Sequence, residues 1–403
     1  MDADTDRVSE FENHIIDVCD SKLLKVASFY GPNGGGKSNI LAAILLAKEI
    51  VFNNNFPVNR ENNFSCSFNN DDVISETVFF DTEKYEIGYK FDVLYKSIKQ
   101  NAVDFTGRSN VLYVDSFEMV NETVVFRNIG SSEYITLFER DSTGSINSEL
   151  LDNKNIPYSK VIGSTTNAVS YLYKFLLSKN DMDFYEKEVI VNLYNEIKNF
   201  YNLEVVGGIN GEAAVNIISS RKDKLIKMLN DVDIKISDIL INKDNRYDPF
   251  QFERLLTIDN KEERRVISLS DESRGTKKIF WMFVNLLNEE KNSRIFLCDD
   301  MNAYLHPKLS RVIVELFNSP ENNDKQLIFN SHDILNMTNE LFRRDEIWFA
   351  YRDDNYSTKI VPLSNIVNHN GKQVRKDANY FKQYLEGKYG ADPFIKKGLE
   401  WNE

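Results

Sequence analysis

Residues Leu23 to Tyr30 form an apolar run rich in strand formers, and Gly31-Pro32-Asn33-Gly34-Gly35-Gly36-Lys37-Ser38 follows at once. Asn39 to Ile50 (NILAAILLAKEI) then reads as a buried helix. A strand, a glycine loop ending in Lys-Ser and a helix are the context that G-x-x-x-x-G-K-[ST] requires before it indicates a phosphate cradle. The glycines let backbone N–H groups converge on a phosphate, Lys37 can reach its outer oxygens, and Ser38 can hold a magnesium ion. The N-terminus of the helix adds partial positive charge. Gly31, Asn33, Gly34, Gly36, Lys37, Ser38 and Asn39 are therefore the candidate nucleotide-binding residues.

A chain of 403 residues with 42% hydrophobic and 12% aromatic side chains can fill the cores of two or three compact units. No run reaches the roughly 18 apolar residues of a membrane span, and the N-terminal MDADTDRVSEFENH is acidic where a signal peptide is basic and then apolar. A cytoplasmic protein without membrane partners is expected. Cys19, Cys66 and Cys298 are widely spaced and odd in number, which suggests neither a disulfide framework nor a zinc site. A net charge of −13 argues against a generally basic, nucleic-acid-coating surface. Arg264-Arg265, Lys277-Lys278 and Arg343-Arg344 read as solvated faces, so DNA binding stays open but unsupported.

Along the chain, Phe11, Ile15 and Val18 fall at helical spacing and predict a short acidic helix within residues 1–22. The Asn-rich segment 52–70 carries no legible function. VISETVFFD, KYEIGYKFDVLY, ETVVFRNI and YITLFERD, within residues 73–141, alternate as antiparallel strands do. From about Ser145 the pattern turns helical, with Ala168–Ser178, Asp183–Tyr201 and Ala213–Leu240 spacing apolar residues at three and four. The spacing is too short and irregular for a long coiled coil, so an inserted helical region is expected.

Three landmarks follow. Val266 to Lys278 (VISLSDESRGTKK) is a turn of small polar residues leading into the apolar helix IFWMFVNLL, and serves as a helix cap or a second phosphate-ready terminus. Arg294 to Asp300 (RIFLCDD) is an apolar strand ending in two carboxylates. One such acid can hold the hydration shell of magnesium, and the other can orient or deprotonate an attacking water. Lys325 to Asn330 (KQLIFN) is a further strand with Ser331-His332-Asp333 at its tip, where a histidine can contact a γ-phosphate.

Together, in this order, the motifs resemble the ABC-type ATPases of the RecF/SMC/OLD lineage. The spacing supports the likeness, with 29 residues from Asp271 to Asp300 and 32 from Asp300 to His332. FYGPNGGGKSNILAAI, ESRGTKKIF, FLCDDMNAYLHP, QLIFNSHD, RRDEIWF and YLEGKYGADPF are most similar to stand-alone bacterial ATPases of abortive-infection, restriction-associated and Septu- or PARIS-type defence loci. The resemblance implies an α/β P-loop NTPase of ABC-ATPase type, with a mixed sheet, an antiparallel β-subdomain and an inserted helical region. On that plan, residues 1–144 and 259–350 form the ATPase head, 145–258 the helical insertion and 351–403 a strand and helix tail.

The resemblance also assigns roles. Lys37 and Ser38 would be the Walker A phosphate and metal residues, and Asp299 the Walker B metal residue. Asp300 stands at the catalytic acid and His332 at the switch histidine. Ser273 and Gly275 would be signature residues that meet the γ-phosphate of an opposite copy, with Tyr304-Leu305-His306-Pro307 crossing the interface between them. ATP and magnesium are the implied cofactors. A second copy of the chain and a separately encoded effector such as a nuclease are the implied partners. The implied function is a slowly hydrolysing sensor in anti-phage defence, with a RecF-like DNA-repair ATPase and a non-hydrolysing nucleotide-gated scaffold as alternatives. The sequence departs from the family in four places. Asp300 replaces the usual Glu, Asn302 replaces a commonly acidic residue, no Q-loop glutamine is assigned, and no first strand is evident in residues 1–22.

Overall fold

The computed structural model describes residues 1–4, 11–18, 21–52, 73–103, 109–153, 159–163, 166–178, 185–198, 200–202, 211–242, 245, 249–258, 261–288, 295–355, 357–367 and 371–391. In chain order, β1 (Ile15–Val18) and β2 (Ser21–Leu24) form a hairpin, followed by β3 (Val26–Tyr30) and α1 (Lys37–Phe52). Next come β4 (Val73–Asp81), β5 (Tyr85–Val103), β6 (Ser109–Asn128), β7 (Ile135–Arg140) and β8 (Ile146–Asn147). Helices α2 (Glu149–Asn153), α3 (Ala168–Leu177) and α4 (Tyr185–Lys198) lead to β9 (Phe200–Asn202) and α5 (Gly211–Asp231). Strands β10 (Asp238–Ile241), β11 (Phe250–Ile258) and β12 (Lys261–Ser268) precede α6 (Arg274–Leu286), β13 (Ile295–Cys298) and α7 (Pro307–Phe317). The chain closes with β14 (Gln326–Asn330), β15 (Ile347–Arg352), β16 (Thr358–Pro362) and α8 (Tyr380–Leu385).

The central sheet has the order β16-β15-β3-β14-β13-β9, parallel throughout except for the antiparallel edge strand β16. Every residue of β3 is buried, as expected of a parallel strand covered on both faces. A second, antiparallel sheet runs β4-β5-β6-β7-β8, and β10-β11-β12 form a third. The four alternating segments within 73–141 correspond to β4 through β7.

Helix α1 is apolar almost all round because it lies between two sheets. Leu41 packs with Ala27, Phe29, Leu297 and Ile328 of the central sheet. Leu46, Ala47, Ile50 and Val51 join Ile87, Tyr89, Phe91 and Phe138 of the antiparallel sheet in another cluster. Helices α3 and α4 belong to that second core through Leu172, Leu176, Val189 and Leu193. In a third cluster α5 packs with α6, where Ile218 and Leu225 share a core with Phe280 and Phe283. Residues 145–258 thus contribute helices to two of these clusters, and they also hold β8 to β11, which helical periodicity did not reveal. The helix within 213–240 stops at Asp231, where Asp233 takes a left-handed φ of 66° and the chain turns into β10.

In place of the expected N-terminal helix, the described residues hold a single 3-10 turn, Glu12–His14, that leads into β1. Phe11 is exposed with a left-handed φ of 50°, and Ile15 and Ile16 are both buried, as in a strand pressed on a core. Ile15 pairs with Leu24, and buried His14 lies 3.0 Å from both carboxylate oxygens of buried Glu346. These long-range contacts outweigh a weak local helical spacing.

Cys298 is buried at the end of β13, while Cys19, Cys66 and the Asn-rich stretch 53–70 lie outside the described residues. No helix among the described residues is long and apolar enough to cross a membrane.

Candidate functional site

The strand order brings the sequence landmarks to one edge. β3, β13 and β14 are parallel neighbours, so the glycine loop, Asp299-Asp300 and Ser331-His332 all emerge at their C-terminal ends. That edge is where open α/β sheets bind ligands.

The loop between β3 and α1 is backed by β15. A Cβ on Gly31, whose φ is +144°, would lie 2.0 Å from the Ala350 carbonyl oxygen, so only glycine fits there. Asn33, Gly34, Ser38 and Asn39 are exposed and Gly36 half-buried, whereas Lys37 is buried. The Lys37 ammonium donates to the carbonyls of Gly31 and Pro32, each at 3.0 Å. It is thus aimed into its own loop and held by two oxygens that phosphate oxygens can replace.

Asp299 and Asp300 follow β13 directly. Register pairs Cys298 with Phe329, so Asn330 falls beside Asp299. Asn330 is fully buried. Its amide nitrogen donates to Asp299 Oδ1, and its Oδ1 accepts from the Asp300 backbone N–H at 2.7 Å. Asp300 has a left-handed φ of 44°, a conformation that Asp and Asn tolerate better than other side chains. Its carboxylate lies 3.7 Å from His332 Nε2. Asn302, noted as a departure, pins the other strand tip, with its Oδ1 accepting from Ser331 Oγ at 3.0 Å and His332 N–H at 3.1 Å.

Asn330 was not singled out from the sequence. Asn330→Ala is expected to lower stability by about 2 kcal/mol, because it leaves the Asp300 N–H and one Asp299 oxygen without their partner. Urea denaturation measures this. A loss under about 0.5 kcal/mol would mean that water replaces both bonds.

Ser273 and Gly275 sit instead with the far end of the 300–305 turn. Ser273 caps α6, its Oγ accepting from Thr276 N–H at 3.1 Å. Gly275 lies under Tyr304, where an added Cβ would meet the Tyr304 carbonyl oxygen at 2.5 Å. His306 caps α7 through Nδ1, at 3.2 Å from Lys308 N–H.

The electrostatics of this edge are coupled. Burial lowers the Lys37 pKa, while the negative charges of Asp300 and Asp299 pull it back up. Burial first and the Lys37 charge second lower the His332 pKa, against the same two carboxylates. Among the described residues no cluster of three or more His, Cys, Asp or Glu is placed to hold a metal alone. Magnesium, which keeps several waters and takes one or two protein oxygens beside phosphates, fits the hydroxyl and carboxylate donors of Ser38 and Asp299.

A family model described as "AAA domain, putative AbiEii toxin, Type IV TA system" matches residues 26–337. The chain belongs to this AAA domain family. It is an α/β P-loop ATPase domain of ABC type, with a mixed parallel and antiparallel architecture. No curated protein matches the sequence. Among solved structures it is similar to the SMC head domain from Thermotoga maritima, at 13% identity and a TM-score of 0.33, over 86% of this chain and 95% of that one. A further likeness is to an Smc head domain with an extended coiled coil, bound to the C-terminal domain of ScpA and derived from Pyrococcus furiosus. It has 13% identity and a TM-score of 0.34, over 87% of this chain and 95% of that one.

Proposed function

We propose that this AAA-family ATPase binds ATP with magnesium, hydrolyses it slowly, and uses the bound state to hold or release a separately encoded toxic effector in bacterial anti-phage defence. The observation that carries the catalytic part is the meeting of Lys37, Asp299, Asp300 and His332 at one edge of the parallel sheet. Lys37 neutralises the outer phosphates. Ser38 and Asp299 would hold magnesium, which when bound polarises the phosphate oxygens. Asp300 orients the attacking water and accepts its proton, and His332 donates a hydrogen bond to the terminal phosphate. One methylene less than Glu leaves Asp300 short of its water, which is the reason for slow turnover.

The defence part draws support from the family description, which names a putative AbiEii toxin of a type IV toxin–antitoxin system. It also draws on the resemblance to Septu- and PARIS-type ATPases. In this reading the head comprises residues 1–144 and 259–350, residues 145–258 are inserted in it, and 351–403 form a tail. Ser273 and Gly275 of a second copy complete each nucleotide site, so two heads close head to tail on ATP. The expected result of affinity purification from the native host is an effector, such as a nuclease, whose recovery differs between ATP and ADP. Recovery of DNA instead, with ATPase activity that DNA stimulates and salt suppresses, would favour the RecF-like alternative. Neither partner in either nucleotide state would sink the defence reading.

A further inference from the structure

The catalytic-acid position is gripped from two sides, and the grips differ in kind. On the amide side, the Asp300 N–H is held by the side chain of Asn330, which is fully buried at the end of β14. On the carbonyl side, Asp300 O accepts from Lys278 Nζ at 2.8 Å, in addition to the turn bond from Ala303 N–H at 2.8 Å. Lys278 is half-buried and belongs to α6, a different element. The first grip is part of the sheet, and the second belongs to a helix.

Helix α6 also holds the other end of the same turn. The Arg274 guanidinium stacks 5.1 Å from the centre of the Tyr304 ring and donates to the Tyr304 hydroxyl at 3.0 Å. Gly275 brings the helix backbone against the Tyr304 carbonyl. Asp300 and Tyr304, with φ of 44° and 65°, are two of the four non-glycine residues with positive φ among the described residues. Strained conformations of this kind persist where surrounding structure over-determines them. Here α6 supplies that structure at both ends of the turn.

The seat of α6 is set by the inserted region. Phe280 packs edge-on with Phe252 of β11 at 5.4 Å, Trp281 with Phe250 at 5.7 Å, and α5 shares the same core. A shift of α5 and β11 therefore reaches Lys278 through packed aromatic side chains.

We infer that Lys278 is a positioning residue for Asp300, making hydrolysis depend on how α6 is seated by the inserted region. This rests on the ATPase reading above and names a regulation of that site. Lys278 touches no reacting atom. It fixes the peptide after Asp300, and so the direction in which the carboxylate leaves the turn.

The test compares wild type with Lys278→Met, which keeps the aliphatic stem, and Lys278→Arg, which restores a donor. Lys278→Met is expected to lower kcat by about tenfold to a hundredfold, the scale of a misplacement near 1 Å, with KM within about twofold. Lys278→Arg is expected to recover most of the lost rate. Hydrogen exchange gives a readout that needs no nucleotide. Amides of residues 299–305 are expected to exchange about tenfold faster in Lys278→Met, with β3 and β14 unchanged. Wild-type exchange across 299–305 in Lys278→Met overturns the inference, whatever the activity. So does a rate loss shared equally by Lys278→Arg. If wild type neither binds nor hydrolyses ATP, the ATPase reading fails by itself, and the exchange comparison still decides whether Lys278 holds the turn.

Discussion

Lys37→Ala is expected to weaken ATP binding by at least two orders of magnitude and to abolish hydrolysis. The Lys37 ammonium is the buried charge of the loop, 5% exposed, and two loop carbonyls already hold it in the cradle. Charge-assisted hydrogen bonds are worth about 1.5–3 kcal/mol each, and two of them to phosphate oxygens correspond to roughly 10²–10⁴ in affinity. Folding is affected far less. The mutation removes two bonds to loop carbonyls, but it also removes a charge that burial disfavours. These effects oppose one another, so a stability change within about 1 kcal/mol is expected. Lys37→Arg does not rescue, because a planar fork does not replace a point charge between two converging carbonyls. Titration calorimetry with Mg-ATP, beside a melting curve without nucleotide, separates the two effects. Normal ATP binding by Lys37→Ala would remove the nucleotide assignment altogether.

The loop was legible in the sequence because everything that shapes it is local: an apolar strand, four glycines, Lys37, Ser38 and an apolar helix within thirty residues. The same holds for β13 with its two acids and for β14 with His332, each a short apolar run closed by polar residues. What could not be read there depends on which strands become neighbours. Asn330 looks like any polar residue ending a strand until the pairing of Cys298 with Phe329 sets it beside Asp299. Lys278 looks like a solvated helix lysine until α6 is laid along the 300–305 turn. The N-terminal segment fails for the same reason in reverse. Its helical spacing is real, but the decisive contact is between His14 and Glu346, 332 residues apart. Helical periodicity likewise ran past Asp231 into β10, since a short strand such as DILI offers few residues in which alternation can show.

Asp300 bears the other large effect, and its backbone explains why the shorter acid is there. At φ 44° a long, unbranched Glu is disfavoured, whereas Asp and Asn adopt this region comparatively readily. Asp300→Asn therefore keeps the turn, since both the bond to Asn330 and the bond from Lys278 use main-chain atoms. It is expected to retain ATP affinity within about threefold while kcat falls by roughly 10²–10⁴, the range for losing a positioned general base. Asp300→Glu is expected to act in opposite directions on stability and rate. The left-handed position costs the fold about 1 kcal/mol, while the added methylene brings the carboxylate to the water and raises kcat several-fold. Single-turnover hydrolysis with saturating ATP, beside denaturant melts, measures both. A Glu variant that is destabilised but no faster than wild type would show that reach is not what limits turnover. If wild type and Asp300→Asn bind ATP equally and neither hydrolyses it, the site is a nucleotide-gated latch. ATP exchange, rather than cleavage, would then set how long the nucleotide-bound state lasts.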